Sequence, residues 1–415
     1  MGARERDKDF WYRLLSKEEK IKQGIVQDQI VCLVDSLLYK ALDMSASDIH
    51  LEQNEDSMRV RYRIDGILYD QNSVDFDHRL PVLSRLKILA SLDIAQKRIP
   101  QDGKIRIKVT NKKDKNLCDF LDLRISTFPS IHGEKMVIRI LDQSRECLKL
   151  DLLGFNKKDL SVLKELISRP HGFFLVTGPT GSGKTTTLYA ILSYLNNTER
   201  NIITMEDPVE YDLAGITQSQ INTKSGFTFQ KGLRSILRQD PDIIMVGEIR
   251  DRQTAQIAIE AALTGHLVFS TLHTNDAASA ITRLIEMGVE PFLISASLMG
   301  VLAQRLVRKL CQNCKQEADF DKAAYKNLND CDIKKSYISI GCVECLNLGY
   351  KGRTGIFELL MIDDIIRSLI LNKNSSDIIT KIAVKNGLKT LLDDGIDKIK
   401  QGFVSLDEVF RGVKN

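Results

Sequence analysis

A short glycine-rich segment has the residue types and spacing needed to bind phosphate groups. Residues 178–185 read Gly-Pro-Thr-Gly-Ser-Gly-Lys-Thr and match the pattern G-x-x-x-x-G-K-[ST] without deviation. Glycines allow a tight turn in which backbone N–H groups converge on phosphate oxygens at a helix N-terminus. Lys184 would neutralise β- and γ-phosphate oxygens, and the Thr185 hydroxyl would ligate Mg²⁺. The predicted ATP-binding residues are Gly178, Pro179, Thr180, Gly181, Ser182, Gly183, Lys184, Thr185 and Thr186.

Carboxylates follow two apolar runs further along the chain. Residues 202–205 precede Glu206 and Glu210, and residues 243–246 precede a glycine and then Glu248. Carboxylates at such places hold magnesium or orient the attacking water. The second run has the form of a Walker B strand, although glycine replaces the usual magnesium-binding aspartate. Glu248 is therefore predicted to polarise water or support the metal indirectly, with Glu206 or Glu210 assisting.

Two histidines, His266 and His273, flank a third apolar run at residues 267–272. A single histidine beside a strand is usually structural. The C-terminal end of this run, however, carries side chains that could donate hydrogen bonds to a γ-phosphate: Thr271, His273, Thr274 and Asn275. His273 is therefore a stronger candidate for a site residue than His266.

The cysteines indicate a metal site. Cys311 and Cys314 form one C-x-x-C pair, and Cys342 and Cys345 form a second. Four thiolates at this spacing can surround a tetrahedral Zn²⁺ with no open position, which makes the predicted zinc site structural. Reduced buried cysteines or a redox pair are alternatives, but the doubled motif and the lack of a thioredoxin-like context disfavour them. The other cysteines are interpreted as core or incidental residues: Cys32, Cys118, Cys147 and Cys331.

The elements around these motifs predict an α/β fold. Short, continuous apolar runs suit strands buried on both faces of a largely parallel sheet; they lie at 173–177, 202–205, 243–246 and 267–272. The glycine-rich segment follows the first run and leads into a helical pattern at 186–195, as expected for a RecA-like P-loop ATPase core over 150–308. Residues 309–350 would form the tetracysteine module. Residues 351–415 would return to the core and end in short helices, the last with a capping box at 405–408.

The N-terminal part predicts a separate α+β domain of PAS-like type at residues 25–145. Residues 59–64 alternate polar and apolar side chains, and Asp65-Gly66 supplies a hairpin turn. Helical patterns lie at 25–42 and 81–95, and further strand patterns lie at 104–109, 120–126 and 135–141. Residues 1–24 form a short charged arm for which a helix is one interpretation.

The composition is that of a soluble globular protein. Hydrophobic residues make up 43%, charged residues 27%, and the net charge is +4. Because no dense basic block is present, a nucleic-acid partner is not expected. The polar N-terminus has no apolar signal segment, and the longest nearly apolar run, 292–303, is too short to span a bilayer and predicts a buried helix. A cytoplasmic location with a peripheral membrane role is expected.

Four motifs in fixed order make the chain resemble the secretion ATPase superfamily, especially the type II secretion and type IV pilus assembly ATPases. They correspond to that family's Walker A, Asp box, Walker B and His box: 178–185, 206–210, 247–251 and 264–275. The resemblance begins at about residue 25 and includes N-terminal motifs at 46–51, 61–66, 97–103 and 132–135. Glycine in the Walker B motif is characteristic of this family.

The resemblance implies a homo-hexamer in which arginines from both domains and from a neighbouring subunit close on ATP. Arg124 and Arg139 would belong to the N-terminal domain. The others would be Arg234, Arg238, Arg250 and Arg353. Guanidinium groups stabilise the charge that develops on phosphate oxygens during transfer. The tetracysteine segment is typical of assembly and secretion ATPases and favours fibre extension over retraction.

In the mechanism implied by this family, ATP hydrolysis drives an inner-membrane platform protein that adds pilin-like subunits to a fibre. Recruitment would use the platform itself or the short arm at 1–24. One alternative is a RecA-like hexameric DNA translocase or helicase, or a motor that serves DNA uptake, although no aromatic-rich basic groove for single strands is evident. Stimulation of the ATPase by DNA would identify it. A second alternative, a nucleotide-regulated zinc scaffold, would bind ATP without turnover.

Overall fold

The computed structural model describes residues 11–13, 29–110, 118–141, 149–319 and 335–414. The chain divides into two compact units, Met1–Glu146 and Cys147–Asn415, called here the first and second units. Several expectations lie outside the described residues: most of the arm at 1–24, the start of the helix at 25–28, Cys147, Cys331, and part of the cysteine module at 320–334. The side chain of Cys118 is likewise not described.

The first unit contains an eight-stranded sheet with the order β1-β6-β7-β8-β2-β3-β4, in which β5 pairs with β3. Neighbouring strands are antiparallel, except that β1 is parallel to β6. Its elements are β1 (Trp11–Arg13), α1 (Gln29–Asp43), β2 (Asp48–Gln53), β3 (Ser57–Ile64), β4 (Ile67–Asp70), β5 (Val74–Asp75), α2 (Phe76–Leu89), β6 (Gln101–Thr110), β7 (Cys118–Ser130) and β8 (Gly133–Leu141).

Alternation along β3 places its apolar side chains on one face of the sheet. Val60 and Tyr62 are buried, whereas Arg59 is exposed on the opposite face. Asp65 and Gly66 have φ angles of 48° and 89°, as the predicted two-residue hairpin turn requires. The buried face packs against α1 and α2, so that this part of the chain folds as the predicted α+β unit.

Two expectations for the first unit were wrong in detail. Helix α2 spans Phe76–Leu89 instead of residues 81–95, because Pro81 lies inside the helix and does not begin it. The helix ends early because Ser91 adopts a left-handed φ of 56°. In the arm, residues 11–13 form a strand that pairs with β6, so a helix is excluded for those three residues.

The second unit contains a seven-stranded sheet with the order β11-β10-β12-β13-β9-β14-β17. All neighbours are parallel except β14 and β17, and β15 and β16 form a separate antiparallel pair. Its strands are β9 (Gly172–Thr177), β10 (Ile202–Glu206), β11 (Thr217–Gln220), β12 (Ile243–Val246), β13 (Leu267–Leu272), β14 (Leu298–Leu310), β15 (Lys315–Asp319), β16 (Lys335–Ser339) and β17 (Tyr350–Met361).

Helices cover the second sheet on both faces. They are α3 (Lys157–Ile167), α4 (Lys184–Leu195), α5 (Phe229–Ile236), α6 (Arg252–Leu263), α7 (Ala277–Glu286), α8 (Pro291–Ser297), α9 (Asp364–Leu371), α10 (Ser376–Lys385), α11 (Leu391–Lys400) and α12 (Leu406–Lys414). Phe173 and Leu175 of β9 contribute to one core cluster, and Phe174 and Val176 contribute to another. Burial on both faces explains the continuous apolar runs and confirms the predicted α/β architecture.

The apolar run at 292–303 is not one buried helix. Its first part lies in the short helix α8, and Leu298 then begins β14, which runs between β9 and β17. A strand with neighbours on both sides can be as apolar as a buried helix, so the apolar run alone could not distinguish the two. Among the helices that the structure describes, none has the length and apolar character needed to cross a bilayer.

Candidate functional site

The glycine-rich segment forms a tight turn between β9 and α4. Gly178, Gly181 and Gly183 have φ angles of 148°, 78° and 91°. A Cβ atom at Gly178 would lie 2.5 Å from both the Gln304 carbonyl oxygen and Ser182 Oγ, so a side chain there would clash. Lys184 is the first residue of α4. The predicted strand–turn–helix context of a phosphate-binding loop is therefore present.

Lys184 folds back over this turn. Its Nζ donates hydrogen bonds to the carbonyl oxygens of Gly178 at 2.7 Å and Pro179 at 3.0 Å. Burial lowers the pKa of Lys184 to about 8; the positive charge of Arg305 acts in the same direction, and the Glu248 carboxylate opposes it. A phosphate group would supply the negative charge that this buried ammonium group lacks.

Glu248 lies just after β12, at the same carboxyl edge of the sheet as the turn. Its carboxylate forms an ion pair with Arg250, and its Oε2 lies 3.4 Å from His273 Nε2. The preceding Gly247 donates its N–H to the Met205 carbonyl oxygen at 2.7 Å, and a Cβ atom there would come within 3.1 Å of that oxygen. Close contact with β10 thus gives a physical reason for glycine in this Walker B segment.

The threonines around His273 connect strand ends. Thr271 Oγ1 donates to the Gly247 carbonyl oxygen at 2.7 Å, and the hydroxyl oxygens of Thr274 and Thr177 lie 2.6 Å apart. These hydroxyls have partners within the protein, and the predicted role of the cluster toward a γ-phosphate stays a prediction. The segment that carries His273 is thereby attached both to the Walker B turn and to the end of β9.

Glu206, the last residue of β10, is buried and takes part in a hydrogen-bond network. Tyr189 Oη donates to one carboxylate oxygen, while Thr204 Oγ1 at 2.6 Å and Gln218 Nε2 at 3.0 Å donate to the other. Tyr189 Oη also accepts the Glu210 N–H at 3.3 Å, and burial raises the pKa of Tyr189. These contacts fix the Asp box, and the assistance in catalysis by Glu206 or Glu210 stays a prediction.

His266 lies at the opposite edge of the sheet. It precedes β13, and its Nδ1 is 2.9 Å from the Ala261 carbonyl oxygen near the end of α6. A six-residue strand is about 20 Å long, so the amino and carboxyl ends of β13 are far apart. The structure brings His273, but not His266, to the edge that holds the glycine-rich turn, and a catalytic role for His266 stays a prediction.

Of the second-unit arginines predicted to approach the nucleotide, Arg250 lies beside Glu248. Arg234 is exposed on α5, and Arg238 is exposed just after it. Arg353 is exposed on β17 and lies opposite Arg308 of β14. This position is further along β14 than Gln304 and Arg305, which lie beside the turn. Their predicted roles, including roles toward a neighbouring copy, stay predictions.

In the first unit, Arg124 and Arg139 lie directly opposite each other on β7 and β8. Arg139 Nε donates to Asp48 Oδ1 at 2.9 Å, and Asp48 Oδ2 lies 3.7 Å from Arg63 Nε. Directly opposite positions on neighbouring antiparallel strands place the two side chains on the same face of the sheet. Their predicted contact with nucleotide stays a prediction.

Two polar residues of β14 that the sequence analysis did not select lie beside the turn. Gln304 Nε2 donates to the Ser182 carbonyl oxygen at 2.8 Å. Arg305 Nη2 donates to the Asn275 carbonyl oxygen at 2.9 Å, and its Nη1 donates to the Gln304 carbonyl oxygen at 3.2 Å. Both side chains are buried. A Gln-Arg pair inside a long apolar run is the sequence signal that could have indicated them.

The four predicted zinc ligands come together. The Sγ–Sγ distances are 3.8 Å for Cys311 and Cys342, 3.8 Å for Cys314 and Cys345, and 3.7 Å for Cys342 and Cys345. A tetrahedron with Zn–S bonds of about 2.3 Å has edges of about 3.8 Å, so these thiols fit Zn²⁺. Burial acts to raise the pKa of Cys345, but hydrogen bonds from the backbone N–H groups of Cys342 and Gly349 and from neighbouring thiols lower that pKa to about 7. The pKa of Cys314 in the same cluster is raised to about 11, chiefly by burial, so the fit to Zn²⁺ depends on the Sγ–Sγ distances.

Known proteins resemble this chain in sequence and in fold. The family model for the type II/IV secretion system protein matches residues 25–411. The type II secretion system ATPase E of Vibrio cholerae is 47% identical over 98% of this chain and 80% of its own length. The type IV pilus assembly ATPase PilB of Thermus thermophilus is 47% identical over 94% of this chain and 44% of its own length. The crystal structure of the pilus retraction motor PilT with bound ADP has a TM-score of 0.58 and 25% identity, covering 91% of this chain and 95% of that chain.

Proposed function

Because the chain belongs to the type II/IV secretion system protein family, we propose that it is an ATPase motor that powers assembly of pilin-like fibres. The reaction is hydrolysis of ATP to ADP and phosphate. One observation carries this proposal: Glu248, joined to Arg250 and His273, lies at the same sheet edge as the turn that carries Lys184. A group that can accept a proton from water thus lies at the edge where phosphates would bind.

Each part of this edge has a chemical task in the proposed reaction. Backbone N–H groups of residues 178–185 and the Lys184 ammonium group hold the β- and γ-phosphates. The Thr185 hydroxyl, exposed in the first turn of α4, would hold Mg²⁺, which supplies positive charge to phosphate oxygens. Glu248 orients and deprotonates the attacking water, and His273 holds the Glu248 carboxylate in place.

The proposed motor works as a homo-hexamer. The exposed positions of Arg234, Arg238 and Arg353 are compatible with this proposal, because an adjacent copy can only approach side chains that lie at the surface. Arg124 and Arg139 are proposed as further nucleotide contacts from the first unit. Each arginine would stabilise the charge on the transferred phosphoryl group.

The machine that this motor serves is proposed from its relatives. One relative is named for type II secretion and another for type IV pilus assembly, and both are 47% identical to this chain. We infer a cytoplasmic protein that binds an inner-membrane platform protein peripherally and acts on pilin-like subunits through it. The alternative of a DNA translocase predicts that single-stranded DNA accelerates ATP hydrolysis, and we expect no such effect.

A genetic complementation experiment tests the proposed role. The gene is deleted in its host, and wild type, Lys184→Ala or the matched surface variant Lys158→Ala is returned at equal protein levels. Secreted protein and surface pili are then quantified. Wild type and Lys158→Ala are expected to restore one of the two activities, whereas Lys184→Ala is not. Restoration by Lys184→Ala, or loss of neither activity on deletion, would refute the assembly function.

A further inference from the structure

Strand β14, which lies between β9 and β17, carries two polar side chains where the preceding residues are apolar. Gln304 and Arg305 are only 2% and 4% exposed, although they follow the buried Val301, Leu302 and Ala303. Burial of an amide and a guanidinium group costs free energy unless hydrogen bonds compensate. The hydrogen bonds that Gln304 and Arg305 form must therefore account for polar residues at these two positions.

Gln304 contacts the glycine-rich turn at both ends. Its Nε2 donates to the Ser182 carbonyl oxygen at 2.8 Å, and it would lie 3.1 Å from a Cβ atom at Gly183. The main-chain carbonyl oxygen of Gln304 is close enough to Gly178 to exclude a Cβ atom there. Gln304 thus fixes the shape of the turn that must place its N–H groups around phosphates.

Arg305 contacts the other half of the site. Its Nη2 donates to the carbonyl oxygen of Asn275 at 2.9 Å and approaches Asn275 Oδ1 at 3.3 Å. Asn275 lies two positions after His273 in the sequence. The guanidinium group therefore fixes the backbone of the segment that presents His273 to Glu248.

Two carboxylates stabilise Arg305 in this buried position. Burial lowers the pKa of Arg305, whereas the charges of Asp276 and Glu358 raise it. Glu358 is itself anchored, because its Oε1 accepts the Ala277 N–H at 2.8 Å at the start of α7. Asp276 likewise accepts the Ser279 N–H at 2.7 Å. The two carboxylates whose charges act on Arg305 are thus themselves fixed, while the guanidinium group is held directly by its bonds to Asn275 and to the Gln304 carbonyl oxygen.

We propose that Gln304 and Arg305 are positioning residues that set the two halves of the ATP site separately. Gln304 shapes the turn that binds phosphates, and Arg305 aligns the His273 segment with Glu248. This inference rests on the proposed ATPase function. It implies that the affinity for ATP depends mainly on Gln304, whereas the rate of hydrolysis depends mainly on Arg305.

Two substitutions separate these roles. Gln304→Met keeps the side-chain length and removes the bond to Ser182, while Gln304 Oε1 has no hydrogen-bond partner among the described residues. We expect the KM for ATP to rise about fivefold or more and kcat to change less than about threefold. Arg305→Lys keeps the charge but loses the fork that bonds two carbonyl oxygens. We expect kcat to fall about 10- to 100-fold with KM within about threefold.

Arg308→Lys is the matched control on the same strand. In wild type, Arg308 Nη2 donates a hydrogen bond to Glu408 Oε1 at 2.6 Å, away from the turn. We expect its unfolding temperature to fall while kcat and KM per folded protein stay near wild type. A folded fraction measured by thermal unfolding corrects all rates, since loss of folded protein lowers kcat without changing KM.

The outcomes are distinguishable. If wild type hydrolyses ATP but Gln304→Met and Arg305→Lys change kcat and KM to the same extent as Arg308→Lys, the positioning roles are refuted. If both variants lower kcat alone, the separation between the two halves is refuted. If wild type itself does not hydrolyse ATP, the proposed function is refuted, and the positioning roles that rest on it are refuted with it.

Discussion

His273 Nε2 lies 3.4 Å from Glu248 Oε2, while the other oxygen of the same carboxylate pairs with Arg250. Glu248 is largely buried, whereas Arg250 is 68% exposed. The carboxylate is thus held between a histidine on an anchored segment and an arginine at the surface. This arrangement orients the carboxylate before any substrate binds, which lowers the reorganisation needed for catalysis.

Replacing Glu248 by glutamine should remove the base but keep the shape of the site. We expect Glu248→Gln to lower kcat about 100-fold or more, because general-base catalysis contributes about 10²- to 10⁴-fold. Binding of ADP, followed by calorimetry, should remain within about threefold of wild type. The matched control is Glu260→Gln on the exposed side of α6. Hydrolysis by Glu248→Gln at the control's rate would exclude Glu248 as the base.

The two predicted histidines should differ in effect because they lie at opposite sheet edges. We expect His273→Ala to lower kcat about 10-fold, since the Glu248 carboxylate loses one of its two partners. His266→Ala should reduce the free energy of unfolding by about 1 kcal/mol through loss of its bond to Ala261. Steady-state kinetics and urea unfolding of both variants provide the measurement. A larger loss of kcat in His266→Ala than in His273→Ala would contradict the placement.

Nucleotide binding should take up a proton at mildly alkaline pH. The pKa of Lys184, lowered by burial to about 8, must rise when phosphates add negative charge beside the ammonium group. The affinity for nucleotide is therefore highest below pH 8 and falls as the pH rises through that value. Calorimetry of ADP binding in two buffers of different ionisation enthalpy should show uptake of about half a proton at pH 8 and about a tenth at pH 7. Equal uptake at both pH values would count against a titrating Lys184.

The tetracysteine cluster should hold one zinc ion that stabilises the second unit. We expect Cys342→Ser to abolish bound zinc and to lower the unfolding temperature by more than about 5 °C. Cys32→Ser, in α1 and outside the cluster, is the matched control and should keep both properties. Atomic absorption and thermal unfolding measure the two effects. Full zinc content in Cys342→Ser would show that this thiol is not a ligand.

Much of the second unit could be predicted from the sequence because its signals are local. The run at 267–272 coincides with β13, and that at 243–246 coincides with β12, since strands buried on both faces must be continuously apolar. Strand β11 (Thr217–Gln220) was not predicted, because an edge strand of polar residues carries no such signal.

The contacts of the site could not be predicted in the same way, because they join distant parts of the chain. Gln304 bonds Ser182, and Arg305 bonds Asn275, through pairs of residues that no local pattern relates. Glu408 illustrates the same limit. Its N–H reaches Ser405 Oγ at 3.4 Å as in the predicted capping box, but its carboxylate pairs with Arg308 and Arg411.

The most direct test measures phosphate release by purified wild-type protein and by Lys184→Ala, with ATP and Mg²⁺ at equal protein concentrations. Lys184 is the cation that the turn holds at the proposed phosphate site, so its removal should slow hydrolysis strongly. We predict that wild type releases phosphate at least about 100-fold faster than Lys184→Ala. Equal rates for the two proteins would contradict ATP hydrolysis at this site.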